Sequence, residues 1–212
     1  MKKNNGIFIT FEGIDGCGKS TQARWLNANL KKAGHEVVFL REPGGTPLSE
    51  RVRNVLLNRR LEISPVAELL LYEAARAQLA ETIIRPALAE GRIVVCDRYF
   101  DSTVAYQGYG RKLDRRLIDR LNALASFGIT PDITFIFDVD YKTSLSRRGK
   151  RPDRLEKEKQ AFFNRVRKGF VELASKRRIV LLDGRQDIKT LFEIVRQRAE
   201  KLIAQSRDNH AR

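Results

Sequence analysis

The chain contains, at residues 13–20, the stretch Gly13-Ile14-Asp15-Gly16-Cys17-Gly18-Lys19-Ser20, a full match to the pattern GxxxxGK[ST]. A β-branched and aromatic run, 7–12, precedes it, and a segment with helical apolar spacing, 19–33, follows it. Strand, glycine loop and helix in this order form a cradle for phosphate groups. A chance glycine-rich turn is the alternative, but the flanking segments argue against it. The stretch therefore predicts a site for a nucleoside triphosphate.

Each residue type in this loop has a physical task. The glycines let the backbone curl so that its N–H groups face an anion. The helix N-terminus adds a positive dipole, Lys19 adds a full charge, and the Ser20 hydroxyl can ligate Mg²⁺. We expect the following residues to contact the triphosphate: Gly13, Ile14, Asp15, Gly16, Cys17, Gly18, Lys19, Ser20 and Thr21.

The composition is that of a globular protein. The chain has 212 residues, of which 42% are hydrophobic, and no apolar run approaches the roughly 18 residues of a membrane span. Its two cysteines, Cys17 and Cys96, and its two histidines show no metal-site spacing. We predict one domain over 1–206, a frayed tail over 207–212, no membrane partner and a cytoplasmic, reducing setting.

The net charge of +15 raises the possibility of a nucleic-acid partner. Lysines and arginines, however, are spread over the helices, often beside acidic residues, and no aromatic stacking series accompanies them. An enzyme that handles polyphosphates also needs positive potential. We therefore expect no specific nucleic-acid partner, and a basic nucleic-acid binder is kept as an alternative.

Alternating strands and helices define the fold class. Segments with strand character are 7–12, 37–40, 92–96, 133–138 and 178–182. Segments with helical spacing are 19–33, 47–58, 65–90, 114–126, 141–147, 156–176 and 187–205. Continuous apolar strands that alternate with helices predict an α/β fold, in which helices flank both faces of a five-stranded parallel sheet.

Ligands of such sheets bind beyond the carboxyl ends of the strands. This rule selects four predicted loops: 13–20, 41–46, 97–110 and 138–156. Arg41, at the end of the second strand, suits a guanidinium fork aimed at a phosphate, although an ordinary surface arginine is the alternative. Asp97, at the end of the third strand, is a candidate for the Mg²⁺ shell, and Arg98 can clamp a second phosphate.

Several stretches together carry a family resemblance. They are the phosphate loop, Arg41-Glu42-Pro43-Gly44-Gly45-Thr46, Tyr72-Glu73-Ala74-Ala75-Arg76, Asp97-Arg98-Tyr99 with 102–108, and Asp153-Arg154-Leu155-Glu156. In this order they resemble bacterial thymidylate kinases, which are P-loop nucleoside monophosphate kinases, over about residues 7 to 200. The resemblance implies a three-layer P-loop fold with a short mobile lid, and transfer of the γ-phosphoryl group of Mg·ATP to dTMP.

By this resemblance, the phosphate and sugar of dTMP have defined partners. Arg41 and Arg98 hold the phosphate, and Asp15 accepts a hydrogen bond from the 3′-hydroxyl. Tyr106 packs under the sugar and leaves no room for a 2′-hydroxyl. Ser102 belongs to the same site.

The thymine base has its own implied partners. Tyr72 stacks on the base, Arg76 donates to an exocyclic carbonyl, and Thr103 and Gln107 line the pocket. Positions 72 and 76 lie one turn apart on a helix and face the same way. Core packing is the alternative for Tyr72, because three leucines, 69–71, precede it.

The resemblance also implies that a basic lid supplies the transition-state charge. The lid, at about 147–156, is interrupted by Gly149 and Pro152. We favour Arg151 as the catalytic arginine, with Arg147 second, and expect Arg154 to pair with carboxylates. A solvated basic helix end is the alternative. Adenine is expected between Arg147 and the turn 183–186.

The predicted mechanism assigns the remaining roles. Lys19 neutralises the β- and γ-phosphates, Ser20 ligates Mg²⁺, and Asp97 lies in the outer shell of the ion. Asp15, Lys19 and Arg98 are catalytic candidates together with a lid arginine. The resemblance further implies a homodimer, to which helix 65–90 is the expected contributor. Two alternatives remain open: another acceptor, such as a different nucleoside monophosphate or a deoxynucleoside, and a P-loop binding or regulatory protein without turnover.

Overall fold

The computed structural model describes residues 6–148 and 153–208, with the side chains of 207 and 208 left aside. Its centre is a parallel five-stranded sheet in the order β2-β3-β1-β4-β5. The strands are β1 (Ile7–Glu12), β2 (Val37–Arg41), β3 (Ile93–Asp97), β4 (Ile133–Asp138) and β5 (Ile179–Asp183). The predicted α/β fold with a five-stranded parallel sheet is confirmed.

Helices flank the sheet and follow the predicted alternation. They are α1 (Lys19–Lys32), α2 (Pro47–Leu57), α3 (Pro65–Leu79), α4 (Arg85–Ala89), α5 (Phe100–Thr103), α6 (Arg115–Ala125), α7 (Tyr141–Arg147), α8 (Gln160–Leu173) and α9 (Ile188–Asp208). Two π-helical segments, Ala80–Ile84 and Val104–Gly110, continue α3 and α5. Among the described residues, no helix has both the length and the apolar character that a membrane span requires.

The strands have the continuous burial of a sheet covered on both faces. Every residue of β1 and of β3 is buried. On one face, Phe11 stacks on Phe137 with ring centroids 6.2 Å apart, and on the other, Phe8 meets Tyr99 edge-on at 4.8 Å. This packing fixes the central strands and therefore the loops that leave their carboxyl ends.

The register brings three predicted loops together. In the parallel pairing, Asp97 lies beside both Phe11 of β1 and Arg41 of β2. The phosphate loop, the Arg41 loop and the Asp97-Arg98 turn therefore leave the same edge of the sheet, where the topology places ligands.

The segment after β3 differs from the prediction. Instead of a loop over 97–110, the chain forms α5 and a π-helical segment. Gly110 permits close packing on α8, since a Cβ there would lie 2.6 Å from the Phe162 ring. This glycine therefore serves helix packing, and π-helical turns are often found at functional sites.

Three helix boundaries also differ from the predicted ones. The segment 65–90 is interrupted by a π-helical turn, α8 begins at Gln160 rather than at 156, and α9 extends to Asp208. Residues 207 and 208 are thus helical rather than part of a frayed tail, and 209–212 lie outside the described residues.

Candidate active site

The phosphate loop needs glycine for both space and backbone conformation. Gly13 and Gly16 have φ angles of 133° and 80°, in the region that favours glycine. A Cβ at either position would lie 2.6 Å from a backbone oxygen, that of Phe137 or of Ser144. The loop ends where α1 begins at Lys19, so the N–H groups of the first helical turn face the cradle.

Lys19 and Arg98 converge on Asp15. Lys19 Nζ lies 3.1 Å and Arg98 Nη2 2.6 Å from Asp15 Oδ1. Burial alone would raise the pKa of Asp15, but the two cations outweigh it and hold that pKa well below its usual range. Asp15 is therefore a charged acceptor at the point where the loop meets the cleft.

Arg98 is held rigidly in a left-handed turn, with a φ angle of 75°. Its Nη1 donates to the carbonyl oxygen of Gly13 and to Ser102 Oγ, both at 3.0 Å. The guanidinium also lies over the Tyr106 ring, 5.2 Å from the centroid. A non-glycine residue in this conformation is strained, and such strain is concentrated at functional sites.

Glu12 holds this turn from the phosphate-loop side. Its carboxylate accepts hydrogen bonds from Tyr99 N at 2.7 Å and from Ser102 Oγ at 2.5 Å. Burial raises the pKa of Glu12 to about 7, although the positive charge of Arg98 opposes this. Glu12 has no role that its sequence position reveals, because a carboxylate at a strand end does not indicate which distant backbone N–H groups it binds.

Arg76 is almost fully enclosed beside the cleft. Its Nε pairs with Glu42 Oε2 at 2.9 Å, and its Nη1 donates to Glu73 Oε1 at 2.8 Å and to Asn122 Oδ1 at 3.1 Å. No described residue accepts a hydrogen bond from Nη2 of Arg76, which lines the cleft. Tyr72, one turn earlier on α3, lines it too.

One cleft brings together nearly all of the predicted dTMP residues. The predicted residues that line it are Asp15, Tyr72, Arg76, Arg98, Ser102, Thr103, Tyr106 and Gln107. Arg53, Asp153 and Leu155 line it as well. Thr103 is buried, and its hydroxyl has no hydrogen-bond partner among the described residues. An unpartnered buried hydroxyl at the wall of a cleft is suited to a ligand.

Arg41 is the predicted phosphate ligand that the structure does not bring into the cleft. Its side chain is 48% exposed and pairs with Glu50 at 3.1 Å. Arg53 of α2 lines the cleft instead and donates to the carbonyl oxygen of Pro43 at 3.1 Å. Its position follows Ser49 by four residues and precedes Leu56 by three, and both of these are buried. Helical periodicity could therefore have identified Arg53.

The lid arginines take different positions. Arg151, the first catalytic candidate, lies outside the described residues. Arg147 donates to the carbonyl oxygen of Gly184 at 2.8 Å. Arg154 pairs with Glu68 at 2.6 Å, in agreement with the expectation that it meets a carboxylate.

Arg148, which the sequence analysis did not weigh, approaches the phosphate loop. Its Nε lies 3.5 Å from the carbonyl oxygen of Asp15, and its guanidinium lies 4.1 Å from the centroid of the Phe163 ring. Both terminal nitrogens are buried without a partner among the described residues. Desolvated guanidinium groups without acceptors are costly, so this arrangement is suited to an incoming anion.

A second cavity lies behind the phosphate loop. Residues of the loop, of the lid base and of the turn after β5 line it: Gly16, Cys17, Gly18, Gln22, Arg147, Gly184, Gln186, Ile188 and Leu191. The predicted position of adenine, between Arg147 and 183–186, coincides with this cavity.

The residues predicted to hold Mg²⁺ fit an ion that is carried by a triphosphate. Asp97 is buried, and its Oδ1 accepts no hydrogen bond from the described residues. Ser20 lies in the first turn of α1, directly after Lys19. No group of three or more acidic, histidine or cysteine side chains in 6–148 and 153–208 could hold a metal alone. The phosphate oxygens would thus have to supply most of its ligands.

Comparisons with known proteins agree with this geometry. The family model described as thymidylate kinase matches residues 11–195. The thymidylate kinase of Thermoanaerobacter sp. (strain X514) is 45% identical over 91% of this chain and 98% of its own. The thymidylate kinase of Gloeobacter violaceus is 48% identical over 93% and 96%. The chain belongs to the thymidylate kinase family.

A solved structure supports the same assignment at the level of the fold. The crystal structure of thymidylate kinase from Ehrlichia chaffeensis matches with a TM-score of 0.76 and 40% identity, over 92% of this chain and 98% of the other. Thymidylate kinases transfer a phosphoryl group from ATP to dTMP and give dTDP. The predicted enzyme class, acceptor and P-loop fold are thereby confirmed.

Proposed function

We propose that the cleft beside the phosphate loop is the dTMP site and that its residues perform phosphoryl transfer as follows. The cluster of Arg98, Asp15 and Tyr106 carries the proposal. Phosphoryl transfer requires alignment and neutralisation of charge around the moving group more than covalent help from the protein. Arg98, a guanidinium fixed between the phosphate loop and the Tyr106 ring, supplies both alignment and positive charge.

Arg98 and Arg53 orient the acceptor phosphate. Both line the cleft, and burial together with the charge of Arg41 lowers the pKa of Arg53, so an added dianion would relieve repulsion there. Arg41 would contact the acceptor phosphate only if it gave up its ion pair with Glu50. Asp15 accepts from the 3′-hydroxyl, and the acceptor needs no general base because a monophosphate oxygen is already ionised.

The base and the sugar of dTMP contact other residues that line the cleft. Tyr72 stacks on thymine and Arg76 donates to a base carbonyl. The unpartnered hydroxyl of Thr103 and the amide of Gln107 contact the remaining edge. Tyr106 lies under the sugar, next to Arg98, and excludes a 2′-hydroxyl. Buried polar groups of this kind reject an acceptor that leaves them unpaired.

The donor binds along the phosphate loop. Gly13, Gly16, Gly18 and neighbouring N–H groups hold the phosphates, Lys19 neutralises the β- and γ-phosphates, and adenine lies against Arg147. Lys19 must then exchange its contact with Asp15 for phosphate. A lid arginine stabilises the transition state, and Arg148 joins Arg151 as a candidate because its terminal nitrogens are buried without acceptors.

The Ser20 hydroxyl would ligate Mg²⁺ directly, and the unpartnered Oδ1 of Asp97 would lie in the outer shell of the ion. When bound, the ion supplies neutralisation of the charge on the triphosphate.

We also propose a cytoplasmic homodimer without a specific nucleic-acid or membrane partner. The two cysteines are buried free thiols, which suits a reducing compartment. Helix α3 exposes Val66 and Leu70, one turn apart, and α6 exposes Leu124, so both helices offer apolar surface to a second copy. A mass measurement in solution should give twice 24.3 kDa, and a species of 24.3 kDa alone would reject the dimer.

The test of the site is ADP production from Mg·ATP with dTMP, dUMP, dCMP, dGMP, UMP and thymidine in parallel. We expect strong preference for dTMP and slow turnover of UMP. Equal turnover of UMP and dUMP would remove the role of Tyr106. Equal turnover of dCMP and dTMP would remove the roles of Arg76 and Gln107 in reading the base.

A further inference from the structure

Glu68 is a buried carboxylate that the mechanism above does not use. It lies on α3 with no exposed surface and accepts hydrogen bonds from three residues of two other segments. Oε1 accepts from Gln107 Nε2 at 2.8 Å, and Oε2 accepts from Arg154 Nη2 at 2.6 Å. Arg111 donates to both oxygens, with Nε at 3.2 Å and Nη2 at 3.0 Å.

This network fixes the orientation of the Gln107 amide. A carboxylate can only accept hydrogen bonds, so the atom of Gln107 that faces Glu68 must be the NH₂ group. The side-chain carbonyl oxygen is therefore turned to the other side, and no described residue donates a hydrogen bond to it. Because Gln107 lines the cleft, the end of its amide that it offers the ligand there is the carbonyl oxygen, an acceptor.

The orientation matters for the choice of pyrimidine. Thymine carries a donor, N3–H, at the position where cytosine carries an acceptor, the unprotonated N3. An amide can satisfy either base, depending on which of its two ends faces the cleft. A site that presents only the carbonyl oxygen pairs with thymine and leaves cytosine facing an acceptor.

We propose that Glu68 is a positioning residue for acceptor selection: it locks the Gln107 amide so that the enzyme accepts thymine and rejects cytosine. The inference rests on the proposed dTMP site and adds to it the residue that decides which end of the Gln107 amide faces the base. The same carboxylate anchors Arg154 of the lid, and the neighbouring Asp153 and Leu155 line the cleft. Glu68 therefore holds both a residue that contacts the base and a residue of the lid.

The substitution Glu68→Gln tests the proposal with a change of one atom type. The new amide nitrogen should replace Oε1, which faces Gln107, because Oε2 receives guanidinium N–H groups at 3.0 and 2.6 Å, whereas Oε1 receives only one, from Arg111 Nε at 3.2 Å. Gln107 then has to invert its amide and present NH₂ to the cleft. We expect the ratio of kcat/KM for dTMP to that for dCMP to fall by about 100-fold, mainly through the KM for dTMP. Because Arg76 still donates to the base carbonyl, the preference for dTMP over dCMP should become smaller but should not reverse.

Two further variants separate positioning from packing. Glu68→Asp keeps an acceptor-only carboxylate and should retain the wild-type ratio even where kcat falls. Glu158→Gln removes the other carboxylate partner of Arg111, 2.5 Å away, without touching Gln107, and should also retain the ratio. A wild-type ratio in Glu68→Gln, or an equal shift in all three variants, would overturn the proposal.

A measurement on the unsubstituted enzyme does not depend on the folding of any variant. In ¹⁵N NMR, the Gln107 side-chain NH₂ protons should exchange slowly both with and without dTMP, because Glu68 holds them in both states. Protection that arises only when dTMP binds would place this NH₂ in the cleft and overturn the proposal. A wild-type enzyme that does not distinguish dTMP from dCMP would instead overturn the dTMP site itself, and the inference with it.

Discussion

The two sides of the phosphate loop are built differently. On the acceptor side, charged side chains from β1, β3, α3 and the lid interlock, as in the contacts of Arg98 with Asp15 and of Arg76 with Glu42. On the donor side, the cavity is lined mainly by loop backbone and apolar side chains, and Arg147 is its one lining arginine within 6–148 and 153–208. In the proposed assignment, side chains define the acceptor site, and backbone defines much of the donor site.

This difference predicts where the enzyme discriminates. Buried side chains with fixed partners penalise a ligand that fails to match them, whereas backbone N–H groups hold any triphosphate in the same way. We therefore expect strict selection of the acceptor and weak selection of the donor base. The predictions below test that contrast, from the largest expected effect to the smallest.

Arg98→Ala should have the largest effect. It removes the cation that contacts Gly13, Asp15 and Ser102, so kcat/KM for dTMP should fall by about 1,000-fold or more while ATP still binds. Steady-state kinetics and ATP titration measure both. As a control, Arg196→Ala removes a partly exposed arginine of α9 that does not line the cleft and should leave both unchanged. Unchanged turnover of Arg98→Ala at saturating dTMP would contradict the role of Arg98.

Glu12 should give the acceptor side a pH-dependent stability. Its pKa is about 7 in the folded chain, against 4.5 as its ordinary value, so the folded state binds more protons between these pH values. The free energy of unfolding should therefore fall as pH rises from 4.5 to 7, by about 3 kcal/mol from this group. Chemical denaturation across this range should give a shallower slope for Glu12→Gln. An identical slope in both proteins would place the pKa of Glu12 near its ordinary value.

Arg53→Ala and Arg41→Ala form a matched pair on the acceptor side. Arg53 lines the cleft, whereas Arg41 is half exposed and paired with Glu50. The KM for dTMP should rise by about 100-fold for Arg53→Ala and by about threefold at most for Arg41→Ala. If Arg41→Ala had the larger effect, dTMP would have to draw Arg41 away from Glu50, as the sequence analysis expected.

Arg147→Ala should have a smaller effect than Arg53→Ala, and the effect should be confined to the donor side. The side chain contacts the carbonyl oxygen of Gly184 and covers one wall of the donor cavity. We expect the KM for ATP to rise by about tenfold, with the KM for dTMP unchanged. A fall in kcat comparable to that of Arg98→Ala would instead make Arg147 the catalytic lid arginine.

The sequence predicted the parts of the site that local patterns encode. Glycine spacing identified the phosphate loop, and continuous apolar runs identified strands whose carboxyl ends carry Asp97 and Arg98. The acceptor residues on α3 and after β3 were reached through the family resemblance. Their gathering in one cleft is a property of the sheet order, which places β1 beside β3.

The remainder depended on partners distant in sequence. Arg41 precedes the turn 42–46, and Arg53 follows it on α2. Helical periodicity places Arg53 on the buried side of α2, but only tertiary packing pairs Arg41 with Glu50. Glu68 could not be identified either, because its partners Gln107 and Arg154 lie 39 and 86 positions away. A carboxylate on an amphipathic helix is ordinarily a surface residue.

The most direct test of the contrast is one set of kcat/KM values measured on the wild-type enzyme. Acceptors dTMP, dCMP and UMP are compared with ATP as donor, and donors ATP, GTP and CTP are compared with dTMP as acceptor. We predict a spread of about 1,000-fold or more among the acceptors and of about tenfold among the donors. Equal spreads, or a wider spread among the donors, would contradict the account.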